Sequence, residues 1–197
     1  MTPQRAERMI AVLNKRQPDL TVVLENVFDP HNISAVMRSC DAVGIQEIFV
    51  LNTKIPRHEK WGFRSSSGSY KWMTVHQFNN VQECVEILRS RYNKIFTTQL
   101  TSDSIPMHNI NFLDSVALVF GNEQFGISEE LLAHSDGNFI IPQVGMIQSL
   151  NISVACAVTI YEAYRQKNEA GHYDQQRLSH VQYNGLLEAW GYTEASE

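Results

Sequence analysis

LTVVLENVFDPHNISAVMRSCDAVGIQEIFVL, residues 20–51, sets the fold class. Leu20–Glu25 is rich in β-branched residues and reads as a strand, and Asn26–Pro30 reads as a loop. Asn32 has the chemistry of a helix cap; the predicted helix runs to Val43, where Gly44 supplies a C-terminal stop. Ile45–Leu51 is a second strand, with Ile48, Phe49 and Val50 as an unbroken apolar run. Neither strand alternates apolar with polar residues, as a half-exposed strand would, so both faces should be covered.

The same rhythm continues outward. Upstream, Ala6, Met9, Ile10 and Leu13 recur at helical spacing within residues 2–16, and Pro18 ends that run. Downstream, residues 52–71 read as a long loop and Trp72–His76 as a short strand. Val81–Arg91 reads as an amphipathic helix, Lys94–Thr98 and Ser115–Phe120 as strands, and Ser128–His134 as a short helix capped by Ser128. Asn138–Ile141 is a strand stopped by Pro142. A helix opens at Leu150 or Asn151 and runs to about Asn168, a further helix covers Gln175–Ala189, and Tyr192–Glu197 forms a frayed tail. Strands alternating with helices predict an α/β fold with a mostly parallel sheet and helices on both faces. The expected division is a body over 1–168, including the N-terminal helix, and a short C-terminal helical extension over 169–197.

Composition narrows the class. A chain of 197 residues, 43% apolar, can build one domain with a real core. No apolar run is long enough for a bilayer, and charges interrupt the N-terminal segment, so neither a membrane span nor a secretory leader is expected. Cys40, Cys84 and Cys156 offer no paired spacing, which points to a reducing, cytoplasmic setting. The seven histidines form no ligand pattern, so no metal is expected. The net charge is −5, but its distribution is lopsided: residues 1–71 hold ten basic and seven acidic side chains, and residues 72–197 hold six and fourteen. Phosphate binding needs a local positive surface rather than a basic average.

Three segments repeat one layout. In residues 26–44 a strand ends, a proline-containing loop follows, and a polar helix start (Asn32, Ser34) precedes Arg38 on the second turn. In LVFGNEQFGIS, residues 118–128, an apolar strand runs into Gly121-Asn122-Glu123, with Gly126 closing the turn; the spacing matches neither a dinucleotide fingerprint nor a P-loop. In FIIPQVGMIQSLNIS, residues 139–153, a strand again meets a loop and a polar helix start with Ser149 and Asn151. Ligands collect at such strand ends in parallel folds. Each segment alone is also satisfied by ordinary capping or a glycine turn. The helix after Asn151 is apolar on two sides: one carries Leu150, Val154, Val158 and Tyr161, the other Ile152, Cys156, Thr159 and Ile160. One side could face the sheet and the other a second subunit, or the helix could be the central core helix of a monomer. The 52–72 loop interleaves Lys54, Arg57, Lys60, Arg64 and Lys71 with Trp61, Phe63, Tyr70 and Trp72, a composition suited to phosphates and unpaired bases, or to a solvated loop with half-buried aromatics.

Together, Asn32-Ile33-Ser34-Ala35 with Arg38 and Asp41–Gly44, Phe120–Glu123 with Gly126-Ile127, and Ile141-Pro142 with Gly145-Met146 and Gln148–Ser153 resemble the SPOUT class of RNA methyltransferases, specifically the TrmH-type tRNA guanosine 2′-O-methyltransferases. Arg16–Val22 resembles the lead-in to the first strand of the tRNA-specific branch, and the resemblance covers roughly residues 2–170. It implies a C-terminal deep trefoil knot and transfer of a methyl group from S-adenosylmethionine to a guanosine ribose in the tRNA D-loop. It implies a homodimer packed through the helix starting near Leu150. The donor would lie against Thr98, Leu100, Gly121, Ile141, Met146 and Leu150, and Arg38, Asn32, Glu123, Ser149 and Asn151 would form the reaction centre. Fuller relatives carry a longer, basic C-terminal extension that helps hold tRNA, whereas residues 169–197 here are short and acidic, so a tail contribution to tRNA binding is not expected. The RNA load therefore shifts to the N-terminal helix and the 52–72 loop: Arg8, Lys15, Arg16, Arg64 and Lys71. An arginine is a poor base at neutral pH, so Arg38 is expected to orient the substrate rather than take its proton. The competing readings are the same chemistry on another RNA (ribosomal RNA or another tRNA loop), and a knotted RNA-binding protein without activity. A nicotinamide dehydrogenase is disfavoured by the missing glycine fingerprint.

Overall fold

The computed structural model of the chain describes residues 1–58, 68–122 and 124–192. These residues contain seven strands, β1 (Leu20–Glu25), β2 (Glu47–Leu51), β3 (Thr74–Phe78), β4 (Lys94–Thr98), β5 (Ile105–Pro106), β6 (Val116–Phe120) and β7 (Gly137–Ile140), in one sheet of order β3-β2-β1-β6-β4-β7-β5. Every pairing between these strands is parallel. The helices are α1 (Pro3–Leu13), α2 (Pro30–Ala42), α3 (Val81–Arg91), α4 (Glu129–Leu132), α5 (Ile152–Glu169) and α6 (His180–Ala189).

Side-chain parity along the strands builds two cores. Leu20, Val22 and Leu24 of β1, Ile48 and Val50 of β2, and Val116, Leu118 and Phe120 of β6 point to one face. There they pack with Ile33, Val36, Met37 and Cys40 of α2 and Cys156, Ile160 and Ala163 of α5. Val23, Phe49, Leu51, Ala117 and Val119 point to the other, against Val81, Cys84, Val85 and Leu88 of α3 and Leu131 of α4. Alternation is invisible in the sequence because both faces are buried, as a doubly covered parallel sheet requires. A third cluster joins α1 to α6 through Met9, Leu13, Leu178 and Trp190.

Several boundaries differ from expectation. The cap of α2 is Asp29, whose carboxylate accepts from the His31 N–H at 2.8 Å, and Pro30 occupies the first turn where its missing N–H costs nothing. Asn32 is therefore inside the helix and does not cap it. β3 starts two residues late because Gly68, at φ +86°, turns the chain into a 3₁₀ turn at Ser69–Lys71. The half-buried Tyr70 packs against the core, and Trp72 meets Trp190 edge-on at 5.3 Å, so both are engaged in packing rather than held out for bases. The two-residue β5 is too short to leave a pattern, and α6 begins only at His180, behind a capping box built by Ser179 and Gln182.

Arg16, expected on the RNA-facing surface, is instead fully buried. Its guanidinium donates to the Asp41 carboxylate at 2.7 Å, to the Ile45 carbonyl at 3.1 Å and to the Trp72 carbonyl at 3.3 Å, and lies 5.4 Å from the centre of the Trp190 ring. A planar fork with five donors suits this convergence of acceptors, and withdrawing it to reach a phosphate would strand them. At the same end of the sheet, the buried Lys167 ammonium and Arg177 both pair with Asp19, at 2.9 and 2.8 Å.

Glu47, at the start of β2, accepts from Tyr92 Oη, pairs with Arg91 and meets His76, each at 2.7 Å. Burial would raise its carboxyl pKa, but the hydrogen bonds from His76 and Tyr92 and the charge of Arg91 outweigh that and bring it to about 2. A carboxyl depressed below its unfolded value stabilises the fold above that value and loses this contribution as the pH falls towards the folded one. Between about pH 4.5 and pH 2 the wild-type protein should therefore lose stability more steeply than Glu47→Gln, measured by urea denaturation at a series of pH values.

Candidate active site

In an all-parallel sheet the C-terminal ends of all strands lie along one edge, and the loops that leave them form one surface. β1 lies inside the sheet, between β2 and β6. Its last residue, Glu25, is buried, and its carboxylate accepts from the Ser128 N–H at 2.9 Å and the Ser128 hydroxyl at 2.5 Å. Asn26 follows at φ +52°, a left-handed conformation that asparagine tolerates better than most side chains. Its side-chain oxygen accepts from the Thr53 and Lys54 N–H groups at 2.9 Å, and its backbone carbonyl accepts from the Asn122 amide at 2.7 Å. The loops after β1, β2 and β6 are thereby fastened to each other.

The β6 loop is a tight reversal. The backbones of Asn122 and Gly126 exchange hydrogen bonds of 2.9 and 2.8 Å, and the Asn122 side-chain oxygen accepts from the Gln124 and Phe125 N–H groups. A Cβ on Gly121 would lie 2.4 Å from the backbone of Gly126, so only glycine fits there.

α5 opens behind Asn151, whose side-chain oxygen accepts from the Ser153 N–H at 2.9 Å and hydroxyl at 2.6 Å. The amide nitrogen of the same side chain donates to the Asn32 side-chain oxygen at 3.1 Å. The two Asn-Ile-Ser segments, 119 residues apart in sequence, therefore meet directly. Arg38 is exposed on α2, with no hydrogen-bond or ion-pair partner among the described residues.

Beside this meeting point, a cleft of about 740 Å³ lies at the ends of β4, β6 and β7. Thr98, Leu100, Gly121, Ile141 and Leu150 all line it, as does Ser149. Apolar side chains interleaved with strand-end backbone suit a flat heteroaromatic group with polar edges. Met146 does not join the wall. It is 99% exposed, although its loop neighbours Gly145 and Ile147 line the cleft. Glu123 and Arg64 lie outside the described residues. Arg8, Lys15 and Lys71 are exposed, with Lys71 near the Tyr70 ring. Among the described residues no group of His, Cys, Asp or Glu side chains is placed to hold a metal ion. Sequence patterns assign Glu25 and Asn26 no role, and place Asn122 in the β6 motif without one. The signal for the first was a carboxylate ending an otherwise apolar strand, which has to find donors when buried.

The chain is 41% identical over 191 residues to the tRNA (guanosine(18)-2′-O)-methyltransferase of Thermus thermophilus, covering 96% of each. It superposes on the crystal structure of the Aquifex aeolicus TrmH/SpoU tRNA modifying enzyme with a TM-score of 0.88, at 35% identity and over 98% of both chains. It also shares its fold, at TM-score 0.69 and 23% identity, with the SpoU methyltransferase AviRb of Streptomyces viridochromogenes in complex with AdoMet, over 79% of this chain and 62% of that one. The fold is thus that of the TrmH/SpoU methyltransferases. The chain belongs to the SpoU rRNA Methylase family, which matches it over residues 19–161.

The two glycines of the β6 loop should respond differently to alanine. Gly121→Ala forces the new methyl into backbone that cannot turn aside, at a cost of about 1–3 kcal/mol or more. Gly126→Ala meets open space and bears only the strain of its positive φ, about 1 kcal/mol. Urea midpoints of the two variants should rank in that order.

Proposed function

We propose that this protein transfers the methyl group of S-adenosylmethionine to the ribose 2′-OH of a guanosine in the D-loop of tRNA. The observation that carries the reading is the hydrogen bond between Asn151 and Asn32. It joins the helix bearing Arg38 to the mouth of the cleft lined by five of the six residues expected to hold the donor. The 41% identity with the Thermus enzyme over nearly the whole chain supports the tRNA guanosine substrate.

In this reading the ribose oxygen attacks the methyl carbon, the carbon–sulfur bond breaks, S-adenosylhomocysteine leaves, and the hydroxyl proton passes to water or a substrate phosphate. Holding oxygen, carbon and sulfur in line supplies much of the acceleration. Thr98, Leu100, Gly121, Ile141 and Leu150 hold the donor, with Met146 from the outer loop reaching it on binding. Ser149 and Asn151 shape the border between donor and ribose, Asn32 holds the ribose side, and Glu123 positions Arg38 or the substrate. Arg38 grips the phosphate next to the target; its guanidinium keeps its proton and is no base. Arg8, Lys15, Arg64 and Lys71 carry the tRNA backbone, and Arg16 drops out of that set. No metal takes part. The segment after 168 braces the N-terminal helix through Leu178 and Trp190. The trefoil knot belongs to this reading, on the strength of the family, as does a cytoplasmic location. Among the described residues no helix is long and apolar enough to cross a membrane.

The reading includes a homodimer. Val154, Val158 and Tyr161 are exposed along one stripe of α5 that Leu150 extends just before the helix, while Ile152, Cys156, Thr159 and Ile160 on its other side are buried. A second copy packed on that stripe would cover an apolar face that borders the cleft. Val154→Asp combined with Val158→Asp should convert a dimer to a monomer in light scattering after size exclusion; an unchanged mass would remove this interface.

The activity is tested by incubating tRNA transcripts with labelled donor and mapping the methylated nucleotide. Wild-type protein should label one D-loop guanosine. Arg38→Ala should lower the rate at least a hundredfold while calorimetric affinity for S-adenosylmethionine stays within about twofold. Normal turnover by Arg38→Ala would overturn its role, and absence of label in the D-loop would overturn the substrate.

A further inference from the structure

On the other side of Asn122 and Gly126 from the donor cleft lies a second depression, of about 980 Å³. The two share those residues as a common wall. Its floor is Asn26 and Ile127, and Phe28 and Phe125 are part of its lining. Both phenyl rings are unusually open, Phe28 at 75% and Phe125 at 76% exposure. Neither is in ring contact with another aromatic side chain among the described residues. Two large apolar side chains held in water on loops this firmly tied do nothing for the fold; they suit a flat ligand that covers them.

The polar lining narrows the ligand. Asp29 already caps α2, and Ser128 is committed to Glu25. Glu129, Glu130 and the Lys54 ammonium also line the depression, and among the described residues none of these three side chains has a hydrogen-bond or ion-pair partner. The Watson–Crick edge of guanine presents two adjacent donors, N1–H and the 2-amino group, beside one acceptor, O6. A carboxylate accepts both donors at once, and an ammonium donates to O6. Adenine presents a lone pair at N1, which a carboxylate repels, and hypoxanthine keeps N1–H and O6 but lacks the amino group.

We propose that this depression seats the base of the target guanosine, stacked against Phe28 and Phe125 and read at its Watson–Crick edge by the carboxylates of Glu129 and Glu130, with Lys54 at O6. The proposal rests on the methyltransferase reading above and adds the residues that choose the base. Phe28 and Asp29 immediately precede α2, which carries Asn32 and Arg38, so a nucleotide whose ribose lies at Asn32 has its base within reach of the depression. Unstacked bases bound by proteins are held in this way, between aromatic faces and edge-reading polar groups.

The test compares tRNA transcripts carrying guanosine, inosine or adenosine at the methylated position. Wild-type protein should prefer guanosine to inosine by about tenfold or more in kcat/KM, since a site built to pair with an amino group discriminates against its absence, and should reject adenosine. The Glu129→Ala/Glu130→Ala double variant, which removes the acceptors of both N1–H and the amino group, should lose more activity on guanosine than on inosine, so that the preference falls to within about twofold. Phe125→Ala and Phe28→Ala should each lower kcat/KM on guanosine about tenfold, with Phe125→Tyr close to wild type. All variants should bind S-adenosylmethionine as the wild type does. A guanosine preference undisturbed in the double variant, or wild-type kinetics in both alanine variants, would overturn the base seat while leaving the methyltransferase reading intact. Absence of guanosine methylation by the wild-type protein would overturn both.

Discussion

Parallel strands deliver their loops to one edge, and those loops carry backbone groups that the sheet no longer pairs. The end of β1 meets that demand for three loops at once. Glu25 puts a buried carboxylate under the Ser128 N–H and hydroxyl, and Asn26 turns left-handed so that its side chain takes two N–H groups of the β2 loop and its carbonyl takes the Asn122 amide. A buried carboxylate is tolerable only with such donors, and each donor is tolerable there only because the carboxylate is present. The donor cleft, the Asn151–Asn32 contact and the second depression are arranged around this cluster of hydrogen bonds.

The opposite edge of the sheet is built on a different principle. There Arg16 and Lys167 are buried cations, held by Asp41 and Asp19 and by backbone carbonyls, and they pull α1, the end of α5 and the segment after it onto the strand starts. Removing one partner from such a pair leaves the other charge without compensation, so these residues specify how the terminal helices dock. The molecule thus divides its charges by role. Those at the strand starts are spent inside the fold, while Arg38, Lys54, Glu129 and Glu130 at the strand ends remain available to a ligand. The lopsided charge of the sequence does not reveal this division, because Arg16 counts as basic surface until its partners are known.

Helix α5 links the two edges. One side packs on the sheet, and Thr159, a buried polar residue on that side, satisfies its hydroxyl on the Ala155 carbonyl within the helix. The other side is apolar and uncovered, and its N-terminus forms part of the donor cleft. Any partner on that face would therefore be coupled mechanically to the site.

What the sequence determined by itself was set by local rules. Apolar strand runs, helical spacing and the Gly44 stop have physical causes within a few residues, so the alternating elements, the parallel doubly covered sheet and the bounds of α3 and β4 were legible. So were the two apolar sides of α5, because a helix carries its faces in its spacing, but not which of them the chain itself leaves uncovered. The three strand-end motifs could likewise be found one at a time. Only the tertiary structure decided what depends on residues distant in sequence. Asp29 rather than Asn32 caps α2 because Pro30 fixes the first turn, and that leaves Asn32 to meet Asn151. Arg16 turned inward because Asp41, Ile45 and Trp72 bring their acceptors to one point. Met146 points out to solvent while its loop neighbours Gly145 and Ile147 line the cleft. The common wall of Asn122 and Gly126 exists only once β6 lies between β1 and β4, since strand order is fixed by which hydrophobic faces bury each other and not by any short pattern along the chain.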